Sequence, residues 1–180
     1  WHEQPWRADS AAMRTTVRES YRALSEAESP AAALAAINRY RILCALREGP
    51  QGVSGLNQAV STALHGAFSS SAFITGRPIL ITSNQHALGL YNGDVGVLLG
   101  EQPGSPLRAW FLRGDGDLQA LLPAQLPPHE SAWAMTVHKA QGSEWDEVAV
   151  MGDGFGTPDE LRAWRYTAAT RAARRLWWAC

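Results

Sequence analysis

The chain has 180 residues, a net charge of −1 and a hydrophobic fraction of 46%. That length suits one domain of ordinary size, or one with a small insertion, and the apolar content excludes a disordered chain. Near-neutral charge excludes a polyanion grip by bulk charge, so any nucleic-acid contact must be local. No apolar run approaches the roughly 18 residues of a membrane span, and no membrane partner is expected. The first ten residues are polar and aromatic, unlike a signal peptide. With no initiator Met and an apolar run at the end, the chain is expected to be part of a longer one. Cys44 and Cys180 sit in apolar runs, with no CxxC and no Cys/His ligand spacing. Buried thiols, a reducing cytoplasmic compartment and no structural metal are the expectation.

Met13, Val17, Tyr21 and Leu24 recur at helical spacing, which predicts an amphipathic helix over 11–28. Arg14, Arg18 and Arg22 repeat beside them, a stripe that reads as a solvated face or a local basic patch. Pro30 opens a short Ala-rich helix to residue 37. Residues 40–46 form a compact apolar run suited to a buried strand, stopped by Arg47-Glu48-Gly49-Pro50. Residues 52–67 follow as a helix with Leu56, Val60 and Leu64 on one face. Helix, strand, helix points to an α/β layer.

The texture changes at Gly76-Arg77-Pro78. Short strands are predicted at 78–82, 95–100, 107–112 and 118–122, with Asn92-Gly93 and Asp115-Gly116 as hairpin-type turns. About 50 residues of this kind make a small β-barrel. The α/β pattern resumes beyond Pro127-Pro128, so 76–128 reads as an insertion into a domain formed by 1–75 and 129–180. Next come a short strand at 132–135, a brief helix at 136–141 closed by Gly142, and a buried strand at 147–151. Thr157-Pro158-Asp159-Glu160 is a helix start, with a capping hydroxyl, proline at the first helical position and acids in the first turn. That helix is predicted to reach about residue 174, with a last strand at 176–180. Ser69-Ser70-Ser71 is the low-complexity stretch.

Several chemical patterns fail. GxxxxGK[ST] is absent, so no loop here wraps the phosphates of a nucleotide. Gly152, Gly154 and Gly156 lack dinucleotide-turn spacing and read as loop glycines. Asp115 and Asp117 fit a hairpin tip better than a cation site. No GxSxG elbow presents a serine nucleophile. Trp110, Trp133, Trp145, Trp164 and Trp177 read as core or half-buried rather than as base platforms.

Two segments carry more. Met135-Thr136-Val137-His138-Lys139-Ala140-Gln141-Gly142-Ser143-Glu144 resembles motif V of superfamily 1 helicases, and Tyr166-Thr167-Ala168-Ala169-Thr170-Arg171-Ala172 resembles motif VI. Within that superfamily the likeness is to the RecD family. Cys44-Ala45-Leu46-Arg47-Glu48-Gly49-Pro50, with Gly52 to Asn57 after it, is similar to the family's motif IV region. Gly76-Arg77-Pro78 through Asn92-Gly93-Asp94-Val95-Gly96 resembles the approach to its SH3-like insertion. The resemblance spans about residues 40–180, in order.

The resemblance implies the C-terminal, RecA-like (P-loop NTPase-like) motor domain of a helicase, interrupted by a small SH3-like β-barrel. It implies ATP-driven 5′–3′ movement on single-stranded DNA in break repair and recombination. ATP and Mg²⁺ would be held with an N-terminal motor domain outside this sequence, and RecB and RecC would be partners. Without a phosphate loop, the 180 residues alone are expected to be inactive. Arg171 would be the cation that stabilises phosphoryl transfer, and Arg47 a second γ-phosphate contact. Gln141, Gly142, Glu144 and Thr167 would contact the nucleotide, the Glu144 carboxylate accepting from ribose hydroxyls. Thr136, His138 and Lys139 would hold DNA phosphates, with Asn57 as a further DNA contact. This reading needs Arg47, Glu144 and Arg171 at one open cleft. Structural roles stay open beside it: a salt bridge for Arg171, a solvated loop for Arg47, a buried histidine at 138. Two further readings remain, a non-catalytic module that binds nucleic acid or protein, and a related relaxase or viral helicase domain.

Overall fold

The computed structural model describes residues 2–3, 11–66, 73–102, 104–152 and 154–179. The Ser69-Ser70-Ser71 run, Cys180 and most of the first ten residues lie outside the described residues. The chain divides into two compact units, one of residues 1–20, 38–68 and 133–180, the other of residues 21–37 and 69–132. The second unit is wider than the expected 76–128 insertion, because it takes in two upstream helices and a strand at its far end.

The first unit is built on a wholly parallel five-stranded sheet. Its strands are β1 (His2–Glu3), β2 (Tyr40–Cys44), and three that follow the second unit's strands in sequence, β8 (Ala134–Thr136), β9 (Trp145–Met151) and β10 (Ala172–Ala179), in the order β1-β10-β9-β2-β8. All five residues of β2 are buried, as fits a parallel strand covered on both faces. Arg41 is the polar member of that run. It is 1% exposed and its guanidinium lies 5.2 Å from the centre of the Trp145 ring, a cation–π arrangement.

Helix α4 (Val53–His65) turns Leu56, Val60 and Ala63 inward and closes on Gly66, whose positive φ of 77° returns its N–H to the Thr62 carbonyl. Helix α1 (Ala11–Ser20) packs on α4. Arg18 Nε donates to the Ala63 carbonyl at 2.9 Å, which sets a cation at the C-terminal end of α4. The helix predicted over 11–28 is two pieces, α1 and the single turn α2 (Arg22–Ser25), separated at Tyr21.

Helix α5 (Pro158–Ala169) starts on Thr157, which exchanges hydrogen bonds with Glu160 in both directions. It stops five residues short of the predicted end. Residues 172–175 are good helix formers, yet they belong to β10, because Arg174 and Arg175 reach Asp146 (3.4 Å) and Glu147 (3.1 Å) on β9. Tertiary pairing outweighs intrinsic propensity here. The predicted helix at 136–141 is a series of tight turns: Ala140 N–H is shared between the Thr136 and Val137 carbonyls, and Gln141 N–H goes to His138. So few residues cannot sustain a helical ladder.

In the second unit α3 (Pro30–Ile37) packs on an antiparallel sheet of β3 (Arg77–Ile81), β4 (Val95–Gly100), β5 (Leu107–Leu112), β6 (Leu118–Leu121) and β7 (His129–Ser131), in the order β6-β5-β4-β3-β7. Ile79, Ile81, Leu98, Ala109, Phe111 and Leu121 form its core. Asp115-Gly116 makes the β5–β6 turn, with the Asp115 carboxylate accepting from Asp117 N–H at 3.1 Å. Strand β7 was not predicted; it pairs with β3 through three half-buried residues.

Candidate functional site

The eight-residue stretch 137–144 leaves the carboxyl end of β8 and reaches the amino end of β9 without a helix. It therefore crosses the length of the sheet, carrying His138 near one edge and Glu144 at the other. Arg171 meets this crossover from α5. Its Nη1 donates to the Ser143 carbonyl at 3.0 Å, its Nε to the Thr167 carbonyl at 3.1 Å and its Nη2 to the Thr170 hydroxyl at 3.0 Å. The Thr170 hydroxyl in turn donates to the Thr167 carbonyl. A guanidinium has five N–H donors; three are used among the described residues, on a half-buried side chain whose direction is fixed.

The expected placement of Arg171 inside the helix is corrected. It lies in the turn past α5, and its carbonyl accepts from Trp145 N–H at 2.9 Å. The β9–β10 register pairs Ala172 with Trp145, so Arg171 and Glu144 precede adjacent strands at the same sheet edge. Gln141, Gly142 and Glu144 are exposed. Thr167 serves through its carbonyl, since its hydroxyl donates back to Ala163 at 2.8 Å.

Arg47 is not brought to this group. It is exposed and follows the carboxyl end of β2, whereas Arg171 and Glu144 precede the amino ends of β10 and β9. Cys44 pairs with Met151, six residues along β9 from Trp145, so the two edges stand about 20 Å apart at the usual rise of a strand. The single cleft expected for Arg47, Glu144 and Arg171 is replaced by two edges.

The other candidates divide between surface and interior. His138 is exposed, and Lys139 is half-buried with its N–H on the Thr136 hydroxyl at 3.3 Å. Thr136 is buried, so its hydroxyl holds the turn together. Asn57 is also buried, and its amide is used inside the fold: Oδ1 accepts from Ala134 N–H at 3.0 Å and Nδ2 donates to the Ala134 carbonyl at 3.1 Å. It is a structural clamp and not a surface contact.

Sequence reasoning missed two participants. Thr170 stands in the T-R pair and could have been read there; the Ser143 carbonyl is a backbone group with no sequence signal. A groove of about 430 Å³ runs beside the crossover, lined among others by His138, Gln141, Phe155, Glu160, Trp164 and Thr167. Arg174 and Arg175 are engaged with carboxylates of β9, so the basic C-terminal stretch is not a bare cationic surface. Among the described residues no three His, Cys, Asp or Glu side chains gather as a metal site, and no helix is long and apolar enough to cross a membrane.

Comparison with known proteins bears on this arrangement. The family model for the UvrD-like helicase C-terminal domain matches residues 131–178. The RecBCD enzyme subunit RecD of Mycobacterium tuberculosis (strain CDC 1551 / Oshkosh) is 40% identical over 147 residues, covering 80% of this chain and 25% of that protein. The subunit RecD of Haemophilus influenzae is 34% identical over 144 residues, covering 77% of this chain and 21% of that protein. The chain is a C-terminal region of the RecD type of superfamily 1 helicase. This RecD-type region spans about a quarter of the length of the mycobacterial relative. The ATP-dependent RecD2 DNA helicase of Deinococcus radiodurans is 31% identical over 141 residues, 76% of this chain and 19% of that one. In fold the RecD-type region is similar to the Pif1 helicase from Bacteroides in complex with ADP-AlF3 and ssDNA, with a TM-score of 0.52 at 17% identity over 94% of this chain and 48% of that one. The fold is thus a RecA-like helicase fold. The matched stretch 131–178 contains β8, the crossover, β9 and α5, the elements that bring Arg171 to Ser143.

Proposed function

We propose that this chain is the second motor domain of an ATP-dependent 5′–3′ DNA helicase or translocase of the RecD type. In this reading it acts in the cytoplasm, in double-strand break repair and recombination, alongside RecB and RecC. Residues 76–128, within the second unit, are an SH3-like barrel inserted into the motor. The observation that carries the reading is the fixed guanidinium of Arg171, tied to the Ser143 carbonyl one residue from Glu144 and, among the described residues, left with two N–H donors.

The residues at that edge fit a nucleotide. ATP with Mg²⁺ supplies the transferable phosphoryl group, and an N-terminal motor domain of the same protein supplies the phosphate loop. Arg171 holds a forked positive charge that needs no reorganisation to meet spreading phosphate charge. Glu144 offers carboxylate acceptors to ribose hydroxyls, with Gln141, Gly142 and Thr167 shaping the same edge. His138 and Lys139, on the turn held by Thr136, face DNA phosphates from the other edge. Arg47 lies on that second edge and is assigned no γ-phosphate contact. Because the phosphate loop lies elsewhere, the isolated 180 residues turn over ATP negligibly.

The test is Arg171→Ala in the full-length protein. ATP-dependent unwinding is expected to fall below detection while single-stranded DNA is still bound. Normal unwinding by that variant would mean that Arg171 is only a brace between α5 and the crossover, as in a non-catalytic binding module.

A further inference from the structure

Strand β8 is an edge of the parallel sheet, paired among the described residues with β2 alone. Ile42 N–H donates to the Trp133 carbonyl, and Val137 N–H donates to the Cys44 carbonyl. Alternate residues of a strand turn their polar groups to opposite sides, so the N–H and C=O of Ala134 face the side with no strand. Buried backbone groups left there would carry a desolvation penalty. Asn57 satisfies both, with bonds of 3.0 and 3.1 Å, from a helix that packs on β8. Its carboxamide has the donor and acceptor of a peptide unit, so it stands in for one residue of a missing neighbour strand.

Two residues beyond Ala134 the chain enters the turn of Thr136, His138 and Lys139. That turn is held by short-range bonds: Lys139 N–H to the Thr136 hydroxyl, and Ala140 N–H to the Thr136 and Val137 carbonyls. With Val137 N–H on the Cys44 carbonyl as its tie to β2, its placement follows β8 together with the β2 strand that β8 pairs with. We propose that Asn57 is a positioning residue for DNA engagement, fixing the turn through Ala134 without touching DNA. This rests on the reading of that turn as DNA-binding.

The test uses the full-length protein with Asn57→Leu and Asn57→Asp. Leucine keeps the bulk and removes both bonds; aspartate keeps the acceptor and removes the donor. Hydrogen exchange of 134–142 is expected to quicken about tenfold in both variants, with 145–151 unchanged. The single-stranded DNA concentration that half-saturates ATP hydrolysis is expected to rise about tenfold, more than the maximal rate changes. Unchanged exchange in both variants overturns the clamp. Quickened exchange with an unmoved half-saturation point shows a purely structural bond and overturns the positioning role. An unsubstituted protein with no DNA-stimulated hydrolysis overturns the functional reading, and exchange alone then still decides the clamp.

Discussion

Arg171 Nη1 and the Ser143 carbonyl, 28 residues apart in the chain, are joined by a 3.0 Å hydrogen bond. That bond ties the end of α5 to the crossover that leads into β9. A movement of either segment therefore moves the guanidinium relative to Glu144, and the cation has one direction set by three acceptors.

Arg171→Lys separates charge from geometry. Lysine keeps the charge but concentrates its donors on one atom, so it cannot span the carbonyls of Ser143 and Thr167 and the Thr170 hydroxyl together. Steady-state hydrolysis by the full-length protein, with saturating single-stranded DNA, is expected to fall about 10³-fold. A loss below tenfold would show that a positive charge in any orientation is enough.

Cys44 is predicted to resist alkylation in the native state. The side chain is fully buried, its thiol lies 3.3 Å from the Leu46 carbonyl, and burial pushes its pKa up to about 12. The thiolate is the nucleophile, and at pH 8 only about one thiol in ten thousand is ionised at such a pKa. Peptide mapping after iodoacetamide treatment should show Cys44 modified only once β2 opens, with a rate that follows denaturant. Labelling of the native protein at the rate of a free thiol would contradict this burial.

Much of the fold was legible where apolar runs and turn chemistry act locally. Strands β2 and β9, the Thr157 cap and the Asp115-Gly116 hairpin are of that kind. The end of α5 was not legible, because Ala172 to Arg175 favour a helix until Asp146 and Glu147 stand beside them. Asn57 looked like a surface polar residue; only its bonds to Ala134, 77 positions away, reveal an interior one. The resemblance to motifs V and VI brought Arg171 and Glu144 into one hypothesis, and the β9–β10 register puts both at one edge. The same resemblance gave no sign that Arg47 follows a strand's carboxyl end while Arg171 precedes another's amino end. Edge identity is a property of sheet direction, which residue types do not encode.

Salt dependence distinguishes the engaged arginines from the turn proposed to face DNA. Arg174 and Arg175 pair with Asp146 and Glu147 across adjacent strands. Each phosphate contact on a single strand contributes about 0.7 to the slope of log affinity against log salt. In the full-length protein Lys139→Ala is expected to lower that slope by about 0.7, while Arg174→Ala and Arg175→Ala leave it unchanged. A slope reduced by either arginine substitution would assign β10 to the DNA surface.

The cap of α5 makes the helix that carries Thr167 sensitive to acid. Glu160 accepts from Thr157 N–H at 2.7 Å and from its hydroxyl at 2.9 Å. Those bonds, the backbone one foremost, favour the charged carboxylate and hold its pKa below the ordinary 4.5. A pKa depressed by folding stabilises the native state above the unfolded value, and that contribution disappears as pH falls through the folded value. Thermal unfolding of the wild type and of Glu160→Gln should therefore differ at about pH 6, and the gap should close as the pH falls below the ordinary 4.5 and through the depressed folded value. Thr157→Ala should cost about 1 kcal/mol at neutral pH and reduce the same acid response only in part, since it removes the hydroxyl and keeps the backbone N–H that Glu160 accepts from. A gap between wild type and Glu160→Gln that persists undiminished to pH 3 would show that the carboxylate's charge plays no part in holding the start of α5.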